Sequence, residues 1–75
     1  MKIEEALPYL RMGCVLKCKL RHYVICDDVL CSVWIPKNSK VAKLYGVANL
    51  NGQDFMTDKW ELTDYAFDRW EYEQS

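Results

Sequence analysis

Between Gly13 and Leu50 the chain never sustains a helical period. It breaks into short runs rich in strand formers, each ended by a turn signal, and this pattern leaves room for little besides a small antiparallel sheet. Residues 14–20 alternate towards their end, placing Leu16, Cys18 and Leu20 on one face and Val15, Lys17 and Lys19 on the other. Residues 23–26 and 29–35 flank Asp27-Asp28, a two-residue hairpin signal that lacks the usual glycine. Residues 36–40 read as a loop, and residues 41–50 as a further strand in which Gly46 marks a bulge. Asn51-Gly52 is the strongest turn dipeptide in the chain and predicts a hairpin from which residues 53–56 pair back.

The flanks differ. Ile3, Ala6, Leu7 and Leu10 recur at helical spacing, with Glu4 and Glu5 in the first turn, where the helix dipole favours acids. Pro8 removes a backbone donor and sets up a late start or a kink, and Gly13 stands where a left-handed residue ends a helix after about Met12. After a turn at Thr57-Asp58, Thr63 suits the cap of a short helical turn over residues 64–67, and residues 69–72 suit a closing edge strand. The expectation is a single domain spanning residues 1–75, of α+β class: an N-terminal helix followed by a small antiparallel sheet of four to five strands, with a short helical turn before the last strand.

A chain of 75 residues buries only about 60% of its unfolded surface. With 51% hydrophobic and 13% aromatic residues it has apolar surface to spare, so association into a homo-oligomer is expected. The formal net charge of −1 argues against a general nucleic-acid binder. The charge is nonetheless segregated. Arg11, Lys17, Lys19, Arg21 and His22 form one basic stretch, Lys37, Lys40 and Lys43 another, and acids dominate from Asp54 onward. Met1-Lys2 leads into Ile3-Glu4-Glu5 without an apolar leader, and no run approaches the roughly 20 residues of a membrane span, so a cytoplasmic protein with reduced cysteines and no membrane partner is expected.

Cysteines at 14, 18, 26 and 31, with His22 between them, raise the question of zinc. The Cys14 to Cys18 spacing falls on a strand pattern that separates the thiols by roughly 13 Å, leaving only Cys26 and Cys31 as a knuckle, so buried hydrophobic cysteines and no metal are expected. His22 is the sole histidine and has no companion catalytic set, so neither an enzyme nor a cofactor is expected. The three glycines are isolated, so a bound phosphate must be held by side chains. Arg21, Lys37 and Lys40, with Lys19 and Lys43, are the candidate anion ligands, and Tyr23, Trp34 and Tyr45 are the candidate stacking surfaces for a base. The plainer alternative makes Trp34 core and the lysines solvated.

The chain opens Ile3-Glu4-Glu5-Ala6-Leu7-x-x-Leu10-x-x-Gly13-x-Val15 and closes Leu62-x-Asp64-x-Ala66-x-Asp68-x-Trp70-Glu71. It resembles the Thoeris anti-defence 2 family of small phage proteins, whose members open with an EAL-x-x-L-x-x-G helix and a basic strand and end in D-x-x-A-x-D-W-E. The resemblance covers both ends; the middle is shorter than usual and diverges. Where the family carries Arg-x-x-Trp after the first strand, this chain has Arg21 and Tyr23, and Arg69 intervenes between Asp68 and Trp70. The resemblance implies a homo-oligomer, a dimer or a tetramer built from dimers, with interface pockets that sequesters a cyclic nucleotide immune messenger, a cyclic ADP-ribose isomer or a cyclic oligonucleotide, in the host cytoplasm and without turnover. The alternative is an inhibitor or adaptor that binds a host protein directly through its acidic aromatic C-terminal region, with Trp60, Tyr65, Trp70 and Tyr72 as anchors.

Overall fold

The computed structural model describes residues 1–50 and 52–67. Helix α1 (Ile3–Arg11) forms where the apolar period places it, burying Ile3, Ala6 and Leu10. Pro8 lies inside the helix on its exposed side and neither delays its start nor ends it. Met12 caps the helix, and Gly13 leaves it at φ 92°, a conformation that costs glycine least.

Strands β1 (Leu16–Cys18), β2 (Arg21–Cys26), β3 (Val29–Trp34) and β4 (Val41–Val47) follow as an antiparallel meander. The Asp27-Asp28 hairpin forms with both residues at positive φ, 53° and 63°. Beyond β4 the chain departs from expectation. Gly52 opens a short helix, α2 (Gly52–Met56), where a hairpin was expected, so residues 53–56 do not pair back. Strand β5 (Trp60–Leu62) then pairs antiparallel with β1. The helical turn expected over residues 64–67 is absent; Ala66 and Phe67 instead form β6, paired parallel with Val41 and Ala42 of β4. The expected strand over residues 69–72 lies outside the described residues. Among the described residues the result is an α+β fold with six strands in the order β5-β1-β2-β3-β4-β6.

That order forces curvature. Six strands laid flat would hold their edges about 24 Å apart. The connection from Leu62 to Ala66 spans at most about 15 Å. The sheet must therefore curl, with residues 63–65 strapping one edge to the other. The Thr63 hydroxyl, expected to cap a helix, instead donates to the Val15 carbonyl at 2.6 Å and fastens this strap. At its other end the Ala66 amide donates to the Lys40 carbonyl at 2.9 Å.

Each face of the sheet has its own apolar cluster. Ile3, Ala6 and Leu10 of α1 pack on Leu16, Cys18, Tyr23 and Trp60. On the reverse face Val15, Val24, Cys26, Cys31, Val33 and Ala42 form the second cluster, flanked by Tyr65 and Phe67. Val15, expected to point outward with the lysines, is thus fully buried, because the strap closes over its side of the sheet. Leu20, expected to point inward, is 91% exposed, because Cys18 pairs with Arg21 and leaves Lys19-Leu20 as a two-residue turn. Among the described residues, no helix is long and apolar enough to cross a membrane.

Candidate functional site

Helix α1 lies over β1, β2 and β5, and so covers only half of its face of the sheet. Side chains alternate along a strand and paired residues share a face. Tyr23 pairs with Ser32, so Ser32 and Trp34 share the helix-bearing face but lie beyond the helix. Arg21 is on the same face, two residues before Tyr23, level with Trp34. On β4, Lys43 pairs with Trp34 and Gly46 with Ser32, while Leu44 pairs with Val33. Tyr45 is therefore the extra residue of a β-bulge, a device that re-aims a side chain.

Leu20, Arg21, Ser32, Trp34 and Tyr45 line a concavity of about 510 Å³, with His22, Val33 and Ile35 completing its wall. That volume falls in the range of small-ligand sites. Trp34 is 48% and Tyr45 81% exposed, so two aromatic faces and one guanidinium meet solvent in the same depression. This combination suits a planar base next to a phosphate, since aromatic faces stack on bases and guanidinium matches phosphate oxygens.

Three of the six residues proposed from sequence therefore come together here: Arg21, Trp34 and Tyr45. The other three are elsewhere. Tyr23 is only 4% exposed, its ring centroid 5.4 Å from that of Trp60 under α1, so it serves the core. Lys37 is exposed on the loop before β4. Lys40 turns to the strap, with its ammonium 3.6 Å from an Asp64 carboxylate oxygen and 5.7 Å from the Tyr65 ring centroid. Sequence reasoning missed Ser32, whose place in the site depends on which strand it faces and on the half of the sheet that α1 leaves uncovered.

On the reverse face, His22 meets Tyr65 edge-on, with centroids 5.6 Å apart. Burial and then the Lys17 ammonium lower its pKa, so the imidazole is neutral at pH 7. The cysteines do not converge. Cys14 and Cys18 belong to the α1 side, and Cys26 and Cys31 to the opposite side. Burial, reinforced by Cys26 and Asp27, raises the Cys31 pKa and keeps it a thiol rather than a nucleophilic thiolate. Among the described residues, no group of three or more His, Cys, Asp or Glu is placed to hold a metal ion. The chain matches no protein-family model, no curated protein and no solved structure.

Proposed function

We propose that this protein is a binding protein, not an enzyme, that sequesters a cyclic nucleotide immune messenger in the host cytoplasm, in the manner of a phage anti-defence protein. The observation that carries the reading is the depression in which exposed Arg21, Trp34 and Tyr45 meet. Arg21 neutralises a phosphate, and the aromatic rings take the base. Stacking on one such ring contributes about 1–3 kcal/mol. Tight binding removes the messenger from circulation, so no bond need be broken. The uncovered half of the sheet face also leaves apolar surface for a dimer or tetramer.

A direct protein inhibitor acting through the aromatic C-terminal region is the competing reading. Trp60, one of the four anchors it needs, is fully buried beneath α1, which counts against it. Tyr65 is half-buried against His22, and Trp70 and Tyr72 lie outside the described residues.

Native mass spectrometry of the purified protein, mixed with cyclic ADP-ribose isomers and cyclic oligonucleotides, tests the proposal. An assembly that gains the mass of a nucleotide, and loses that gain in Arg21→Ala, is the expected result. An assembly that ignores every nucleotide overturns it and turns attention to a protein target.

A further inference from the structure

Strand β6 uses only part of the edge that β4 offers. It pairs parallel with the first two residues of β4, Ala66 with Val41 and Phe67 with Ala42. Among the described residues, no strand pairs with the outer edge of β4 over residues 43–47. That stretch carries Tyr45 and Val47, both largely exposed. An exposed apolar strand edge is a template for pairing, which natural proteins cover, shorten or charge. Eight residues follow Phe67, and they begin Asp68-Arg69-Trp70-Glu71-Tyr72. Carried forward one residue at a time, the register of β6 on β4 sets Asp68 opposite Lys43, Trp70 opposite Tyr45 and Tyr72 opposite Val47. Opposed residues share a face, so an acid meets a base and two aromatics meet the two exposed apolar side chains. The same seam already holds one such charge pair, the Lys40 ammonium 3.6 Å from an Asp64 carboxylate oxygen.

We infer that residues 68–72 of this same chain occupy the outer edge of β4, in the register that β6 begins. Two observations favour this occupant over a second copy. Strand β6 delivers the segment to the edge already aligned, so docking is intramolecular and avoids the entropy cost of association. A second copy pairing through its own β4 brings no acid to Lys43, because residues 41–47 contain none. The bulge at Tyr45 is in the ladder with β3, while the ladder with β6 is regular through Ala42. The inference does not depend on the nucleotide reading, yet it bears on the site. Tyr45 lines the concavity, so the docked segment braces one of its walls. Trp70 and Tyr72, engaged with Tyr45 and Val47, are then not free to anchor a host protein.

NMR of the full chain at low concentration tests this directly. The expected result is a set of parallel-strand contacts between residues 68–72 and 43–47, including one between the Trp70 and Tyr45 rings. In hydrogen exchange, Asp68→Lys should speed the amides of residues 43–47 that point away from β3 by about ten-fold. Adding Lys43→Asp should restore much of that protection, because it rebuilds the opposed pair with its charges exchanged. Absence of these contacts in the wild type overturns the inference. Contacts seen only between labelled and unlabelled copies assign the edge to a second molecule and overturn it equally. Unchanged exchange in Asp68→Lys overturns the register. Should Asp68→Lys fail to fold, the wild-type contacts decide alone. None of these readouts requires a nucleotide, so the docked segment and the sequestration reading stand or fall separately.

Discussion

Trp60 and Trp34 stand on the same face of one curled sheet and meet opposite fates. Trp60 is on β5 beneath α1 and is fully buried; Trp34 is on β3 beyond the reach of α1 and is 48% exposed. The difference is one of coverage, because a nine-residue helix shields only part of a six-stranded sheet. The covered half carries Leu16, Cys18, Tyr23 and Trp60 and holds the fold together. The uncovered half carries Arg21, Ser32, Trp34 and Tyr45 and is available for a ligand. Division of labour across a single face is thus built from helix length and strand order alone.

The largest test of that division is a pair of truncations. Trp60→Ala should cost about 3–5 kcal/mol in denaturant unfolding, and Trp34→Ala no more than about 1 kcal/mol. Equal costs would erase the distinction between the halves. Trp60→Phe sharpens it, since the buried indole Nε1 has no hydrogen-bond partner among the described residues and its loss removes shape but no bond between them.

Pro8→Ala addresses the helix that makes the covered half. Proline in a helix interior costs up to about 3 kcal/mol, so this exposed substitution should raise the thermal midpoint. No gain would mean that packing of Ile3, Ala6 and Leu10 already overrides the helix's own preference. Thr63→Val should cost about 1 kcal/mol by removing the hydroxyl bond to the Val15 carbonyl, while the Thr63 amide still donates to that carbonyl at 3.3 Å. A chain that unfolds outright would show that closure of the reverse face, and not α1, is the dominant constraint.

The smallest expected effect is a pH dependence. The folded state lowers the His22 pKa below 6.5 through burial and the Lys17 charge, so the unfolded chain binds more protons in that range. Stability should therefore fall as pH drops below about 6.5 and level off once the folded protein is also protonated. His22→Gln should flatten that part of a stability profile, and Lys17→Met should reduce it. An unaltered profile in both variants would place the acid sensitivity elsewhere.

Local pattern was enough to locate the first two thirds of the fold. Helix α1 follows from the spacing of Ile3, Ala6 and Leu10, its end from Gly13, and the β2–β3 hairpin from Asp27-Asp28. The segment after β4 resisted such reading because its structure depends on distant partners. Trp60–Leu62 is a strand because the free edge of β1 accepts it and Trp60 fills the space under α1. Ala66–Phe67 extends because β4 offers it an edge, and Gly52, the second residue of a strong hairpin signal on local grounds, opens α2 instead.

The site divides in the same way. Residue chemistry alone singled out Arg21, Trp34 and Tyr45, since a cation and exposed aromatics are what a nucleotide needs. The same chemistry also selected Tyr23 and Lys40, which the fold commits to the core and to the strap. By itself, then, the amino-acid sequence determined a helix, a β-meander and the types of group available for binding, because those depend on spacing and side-chain chemistry within a few residues. Tertiary structure decided the closure of the sheet, the half-covered face and the gathering of Arg21, Ser32, Trp34 and Tyr45 around one concavity. Those depend on strand register, which a one-residue shift would reverse and which is set only when the whole sheet assembles.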